Sequence, residues 1–164
     1  MTAESATERA VDADAVVFPS TQWFEALAAK MAEQRDHFEK LGACDCVAQL
    51  TIWDGPGDEE WRCQFVFDEF DVIGIKEVTE ADEPQADFIL ETDLETWQEM
   101  VDSIIEGQGQ PGLDHTLNRL SMPGTPIRLW SHDPLNRDAF YRFNQTIQHF
   151  INNCASFTTH WPVD

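Results

Sequence analysis

Basic residues are scarce in this chain of 164 residues. Only 10 lysines and arginines stand against 31 aspartates and glutamates, which gives a formal net charge of −21. A surface of this sign repels nucleic-acid phosphates and anionic lipid headgroups. We therefore expect no nucleic-acid partner and no lasting attachment to an anionic membrane. A protein partner with a basic surface, such as an enzyme, stays compatible with this charge.

Long apolar runs are also missing. No stretch reaches the roughly 18 apolar residues of a membrane-spanning helix, so no stable membrane insertion is expected. The opening MTAESATERAVDADAVV lacks a basic segment followed by an apolar one, which argues against a signal peptide. We interpret residues 1–17 as an acidic disordered tail and residues 158–164 as a C-terminal tail, on either side of a single domain at 18–157.

Cysteine is too sparse and too irregularly spaced for a metal site. Cys44 and Cys46 form one C-x-C pair, while Cys63 and Cys154 stand alone. A structural zinc site needs four converging ligands, and this pattern offers no second pair. Buried, reduced thiols in a cytoplasmic protein explain it better, because disulfides are rare in that compartment. We expect no metal and no cofactor.

Strong catalytic signatures are lacking too. The chain contains no G-x-S-x-G, no glycine-rich phosphate loop and no H-E-x-x-H. Two adjacent pairs, Asp114-His115 and His132-Asp133, leave an enzymatic alternative, since a carboxylate beside an imidazole makes a general base. Small cone-fold cyclases, dehydratases and isomerases use such pairs in apolar pockets. The structural alternative is that Asp114 and Asp133 cap helices.

The hydrophobic pattern that is present predicts an α+β domain. A helix is expected from Ser20 to Gly42, and alternating residues predict strands at 44–53, 60–68, 70–78, 86–93 and 125–130. Further helices are expected at 93–106, at 113–120 and, after Asp133-Pro134, through residue 154. This order predicts a five-stranded, mostly antiparallel sheet covered by helices, with a long C-terminal helix.

The predicted helices carry broad apolar faces. In DPLNRDAFYRFNQTIQHFINNCA (133–155), Phe140, Phe143, Ile147 and Phe150 recur at helical spacing. Faces of this kind ordinarily pack a core. Several of them over one small sheet also fit the wall of a cavity for an apolar ligand, and the pattern alone does not choose between the two.

Two segments resemble the sterol carrier protein type-two domain family. They are FPSTQWFEALAAKM (18–31) and ADFILETDLETWQEMVDSIIEGQ (86–108), where Thr92 ends a strand and Trp97 lies near the middle of the next helix. The order of elements extends the resemblance over residues 18–131. It implies a sheet and helices that enclose an apolar tunnel for sterols, steroids, fatty acids or acyl thioesters, with no metal or redox cofactor.

On this interpretation the chain carries a lipid, or presents it to a partner enzyme. The expected ligand-binding side chains come from the apolar faces: Phe88, Leu90, Trp97, Met100, Val101, Ile104, Leu117, Leu120, Met122, Phe140, Phe143, Ile147 and Phe150. Polar side chains that are candidates to orient the ligand are also present: Gln98, Asn118, Arg119, Arg128, Tyr141 and Asn144. The oligomeric state is left open.

Overall fold

The computed structural model describes residues 15–162. Its helices, in chain order, are α1 Thr21–Glu33, α2 Arg35–Leu41, α3 Leu94–Glu106, α4 Leu117–Leu120 and α5 Asp138–Asn152. Its strands are β1 Ala15–Val17, β2 Cys46–Ile52, β3 Trp61–Asp68, β4 Asp71–Glu77, β5 Phe88–Thr92, β6 Arg128–Trp130 and β7 Thr158–His160. Short 3-10 segments lie at Pro56–Asp58, Glu80–Gln85, Leu113–His115 and Asn153–Ser156.

Five of the strands form one sheet in the order β4-β3-β2-β5-β6. The pairs β2–β3, β3–β4 and β5–β6 are antiparallel, and only the central pair β2–β5 is parallel. The parallel pair requires a crossover because the chain must return from β4 past β3 and β2 before β5 begins. The predicted fold class, a mostly antiparallel five-stranded sheet with helices and a long C-terminal helix, is confirmed.

The core lies between one face of this sheet and the helices. Strand β2 presents Ala48, Leu50 and Ile52 to it, as the alternation of a strand requires. Helix α5 supplies Phe140, Ile147, Phe150 and Ile151, and α1 and α3 contribute further buried side chains: Trp23, Phe24, Leu27, Met31, Trp97, Met100, Val101 and Ile104. The apolar faces predicted from periodicity are therefore the core faces.

The opposite face of the sheet carries a buried polar network instead of an apolar layer. The Glu80–Gln85 segment covers this face. A hydrogen bond holds the segment there, since Gln64 donates through Nε2 to the Asp82 carbonyl oxygen at 2.9 Å. Glu83 Oε2 accepts from Gln49 Nε2 at 3.1 Å and from Arg62 Nε at 3.3 Å. Each partner thus satisfies a group that would otherwise be buried unpaired.

A second, two-stranded sheet joins the ends of the described chain. Strands β1 and β7 run parallel, and Val16 is paired with Thr159. Both strands lie in segments that the sequence analysis assigned to tails at 1–17 and 158–164; the rest of the acidic tail, residues 1–14, lies outside the described residues. Three-residue strands carry too few alternating positions to be recognised from sequence.

Two helix boundaries also differ from the sequence analysis. Gln34 divides the predicted first helix into α1 and α2, with φ −110° and ψ 34°. Helix α5 begins at Asp138 rather than after Asp133. Asp133 is not its cap because its side chain accepts from the Leu135 N–H at 3.0 Å, within a turn that precedes the helix.

Candidate functional site

An apolar void lies between the sheet and helix α5. Its volume is about 20 Å³, which is space for about one water molecule. Strands β2, β3 and β5 form its floor, α5 forms its roof, and α1 and α3 close the sides. The residues that line it are Phe24, Ala48, Gln49, Leu50, Phe65, Phe67, Leu90, Trp97, Ile147, Phe150 and Ile151.

The predicted tunnel is not open in this structure. Ligand pockets for drug-sized molecules measure about 300–1,000 Å³, whereas the void measures about 20 Å³. The physical reason is packing, since aromatic side chains from α1, α5 and β3 fill the space. Phe24 lies 4.4 Å from Phe65 and Phe150 lies 5.3 Å from Phe67, measured between ring centroids.

Trp97 lines the void and carries a buried polar atom without a partner in the described part of the chain. Its indole ring stacks on Phe18 with 5.6 Å between centroids, and the residue is 1% exposed. Its Nε1–H finds no acceptor among residues 15–162. A buried donor without a partner costs about 1–3 kcal/mol, so most natural cores avoid one. An acceptor atom brought close to this N–H would recover that free energy.

The thirteen predicted ligand-binding residues occupy three environments. Leu90, Trp97, Ile147 and Phe150 line the void. Others pack the core elsewhere: Phe88, Met100, Val101, Ile104, Leu117, Leu120 and Phe140. Phe143 is half-buried and Met122 is 45% exposed. Met122 follows the end of α4 and therefore does not continue the inner face of that helix.

Several residues that line the void were not predicted as ligand-binding residues. Phe24, Ala48, Leu50 and Ile151 lie within segments predicted as helices or strands, but nothing in the sequence marks them as neighbours of a void. The six polar candidates for orienting a ligand do not line it either. Their positions on helix surfaces and at the sheet edge direct them elsewhere; Tyr141, for example, is 51% exposed.

The two His-Asp pairs lie outside the apolar interior. Asp114 and Asp133 are exposed. His132 is 43% exposed, and its Nε2 approaches Glu83 Oε1 at 4.0 Å rather than its neighbour Asp133. His115 is half-buried in the short 3-10 segment and does not line the void. The structure therefore brings neither pair into an apolar pocket, as the enzymatic alternative requires.

All four cysteines are buried free thiols. Burial raises the pKa of Cys63 to about 12 and the pKa of Cys154 to about 12. The hydrogen bond with Cys44, followed by burial, raises the pKa of Cys46 far above its usual range. Because the thiolate is the reactive form, Cys46, Cys63 and Cys154 are poor nucleophiles at neutral pH.

Comparisons with known proteins bear on the fold. No protein-family model matches the chain, and no curated protein matches it in sequence. A solution structure described as a conserved hypothetical protein, possibly a sterol carrier protein, from Thermus thermophilus is 17% identical, with a TM-score of 0.59 over 86% of this chain and 90% of that one. A crystal structure of sterol carrier protein 2 is 18% identical, with a TM-score of 0.57 over 84% and 96%. The chain therefore has a sterol-carrier-like fold.

The part of the chain that the structure describes contains no candidate for a membrane-spanning helix. No helix within residues 15–162 is both long enough and apolar enough to span a bilayer.

Proposed function

We propose that this protein binds a hydrophobic small molecule, of the sterol, steroid or fatty-acyl class, in the space between its sheet and helix α5, and carries or presents it inside the cell. The observation that carries the proposal is the wholly apolar void between the sheet and α5, which residues of three strands and three helices line. The sterol-carrier-like fold supports the choice of ligand class.

Binding requires the closed interior to open, and α5 is the element that would move. Its first turn has no side-chain cap, because Arg137 occupies the N-cap position without a capping hydrogen bond. The segment before it, residues 132–137, is exposed throughout. Displacement of this end must still withdraw Phe140, which is fully buried and contacts Phe88 with 5.5 Å between ring centroids, and it would widen the space under Ile147 and Phe150.

The expected affinity follows from the hydrophobic effect. Each buried CH₂ contributes about 0.8 kcal/mol, so ten buried carbons contribute about 8 kcal/mol. Association costs about 4 kcal/mol or more, and the opening of α5 adds to this cost. The remaining free energy, at most about 4 kcal/mol, corresponds to a dissociation constant of about 1 mM for ten buried carbons, and each further buried CH₂ lowers that constant about fourfold. A neutral lipid should bind more tightly than an acyl-CoA, because the net charge of −21 opposes the phosphates of the latter.

The test is displacement of a fluorescent fatty-acid analogue by a neutral sterol, with a variant that obstructs the void. Ala48 is 3% exposed and lines the void, so Ala48→Leu should fill it and weaken binding at least tenfold. Ala29→Leu makes the same change on the exposed side of α1 and should leave the affinity unchanged. Circular dichroism verifies that both variants are folded.

Equal affinity in the two variants would contradict the proposed site. Acyl-CoA binding as tight as sterol binding at low salt would contradict the proposed ligand preference. Native mass spectrometry of the protein purified from cells would add the identity of a co-isolated lipid.

The acidic surface also supports a basic partner enzyme that receives the ligand. Charged surfaces of opposite sign accelerate association and lose their attraction as salt rises. A pull-down that captures the same partner at low and high salt alike would contradict an electrostatic contact.

A further inference from the structure

Helix α5 also lines an open polar cleft. Its volume is about 480 Å³, and its other walls are α2 and the loop at residues 109–111. As far as residues 15–162 are concerned, its lining contains no aspartate, glutamate, lysine or arginine. Such a lining is unusual in a chain where a quarter of the residues are charged.

Two histidines face each other in this cleft. His37 Nε2 of α2 lies 2.8 Å from His149 Nδ1 of α5, and the ring centroids are 4.8 Å apart. A hydrogen bond between two imidazoles requires one of these two nitrogens to be unprotonated. Burial, and then the neighbouring His37, lowers the pKa of His149, which disfavours the protonated form of this ring.

We propose that His37 and His149 bind a divalent transition-metal ion that prefers imidazole ligands, with Cu²⁺ and Ni²⁺ favoured. Two imidazole nitrogens bonded at about 2.0–2.1 Å lie about 2.9 Å apart when they subtend a right angle at the metal, and about 3.3 Å apart in a tetrahedral shell. The observed separation of 2.8 Å matches the right-angled arrangement. That geometry is typical of square-planar and tetragonal Cu²⁺ and Ni²⁺ sites.

Coordination would replace the hydrogen bond between the rings. His37 binds the metal through Nε2 and carries its proton on Nδ1, while His149 binds through Nδ1 and carries its proton on Nε2. Both imidazoles stay neutral, which metal binding requires. In the hydrogen bond the two nitrogens face each other, so each ring must reorient by about 45° to direct its lone pair toward a common point in the cleft.

The surroundings favour a cation. The net charge of −21 attracts positive ions, and no lysine or arginine in the described lining opposes them. Within the described range no third His, Cys, Asp or Glu joins the pair. Water and the amide side chains of the cleft, among them Gln34 and Asn152, would therefore complete the shell. The four buried thiols do not compete for the ion.

The experiment is calorimetric titration of the untagged protein with Ni²⁺. One equivalent should bind, and His37→Gln or His149→Gln should each weaken binding at least tenfold, because one of the two ligands is lost. His132→Gln and His160→Gln change exposed histidines elsewhere and should bind as the unmodified protein does. A thermal unfolding curve should shift upward with Ni²⁺, since the ion links α2 to α5.

Nuclear magnetic resonance of the unmodified protein tests the same site without a substitution. Cu²⁺, which is paramagnetic in every coordination geometry, should broaden the signals of residues around His37 and His149 first. Broadening centred elsewhere, equal affinity in all four histidine variants, or no binding at about 1 mM Ni²⁺ would overturn the proposal. This result is independent of the lipid-binding proposal, which is tested with a different ligand at a different place.

Discussion

At the scale of single residues, Glu83 lies within the buried polar network on the outer face of the sheet and accepts from both Gln49 and Arg62. Its side chain is 7% exposed, and its partner Arg62 is 15% exposed. Gln49, which donates to Glu83, also donates to Thr51 at 3.0 Å and accepts from Gln64 at 3.0 Å. Removing one member of such a network leaves the others buried without their partners, which costs more than the lost bond.

Glu83→Ala should therefore destabilise the protein strongly. It leaves Arg62 Nε and one Gln49 N–H unpaired, and the expected loss is about 3 kcal/mol of unfolding free energy. Glu80→Ala is the matched control, because Glu80 lies in the same 3-10 segment but is exposed; its effect should stay within about 0.5 kcal/mol. Urea denaturation measures both, and equal losses would show that the network contributes nothing.

The sequence predicted some features of the void and of the buried polar network but not others. The alternation in β2 identified Ala48 and Leu50 as inward-facing, since period two follows from the strand backbone. The sequence did not predict that the Trp97 Nε1–H would lack a hydrogen-bond acceptor among the described residues, because that depends on the positions of side chains that are distant in sequence. Glu83 was likewise invisible as a buried group: in sequence it stands among acidic neighbours, and Glu80 is exposed.

At the scale of elements, the small β1–β7 sheet fastens the first helix to the end of the chain. Trp23 of α1 is fully buried, and its Nε1 donates to Thr159 Oγ1 of β7 at 2.9 Å. Phe18 lies between these segments and contacts Trp23 with 4.9 Å between ring centroids. Strand β7 thus provides the hydrogen-bond acceptor for the indole N–H of Trp23, whose ring packs in the core.

Thr159→Val should test this connection. Valine has nearly the same shape as threonine but no hydroxyl, so the Trp23 N–H loses its acceptor at an expected cost of about 1–3 kcal/mol. Thr158→Val makes the same change at the neighbouring exposed position of β7 and should cost less than about 0.5 kcal/mol. If the two urea midpoints coincide, the hydrogen bond to Trp23 does not hold the strand in place.

Strands and helices were predictable where the hydrophobic pattern repeats over many residues. Their boundaries were ambiguous where neighbouring residues are equally good helix caps. The meander β2–β3–β4 follows from alternation over seven or eight residues per strand. At the start of α3, Thr92 and Asp93 are both acceptable caps, and the structure uses Asp93, which accepts from the Thr96 N–H at 3.3 Å. Neighbouring cap candidates differ by too little energy for sequence to choose.

At the scale of the whole molecule, the charge of −21 opposes the compact state. The Debye length falls from about 10 Å at 0.1 M salt to about 3 Å at 1 M, so salt should weaken the repulsion among surface carboxylates. We expect the midpoint of thermal unfolding to rise between about 0.1 and 1 M KCl, as measured by circular dichroism. A midpoint that falls or stays constant would mean that repulsion does not limit the stability.

The fold itself was accessible from sequence, whereas the state of its interior was not. Apolar faces on α3 and α5 predict that these helices cover a sheet, and they do. Whether their side chains interlock or stand apart depends on interatomic distances of a few ångströms, which no pattern encodes. The structure shows them interlocked around about 20 Å³, so the proposed function requires an interior that opens for its ligand.

The most direct measurement is a titration of the methyl-labelled protein with a neutral long-chain alcohol, followed by nuclear magnetic resonance. The account predicts saturable, one-to-one shifts of the interior methyl groups of Leu50, Leu90 and Ile147. The methyl groups of Leu113 and Leu135, which are 89% and 81% exposed, should not move. Shifts confined to these exposed leucines, or no shifts at all, would contradict the claim that the interior accepts a guest.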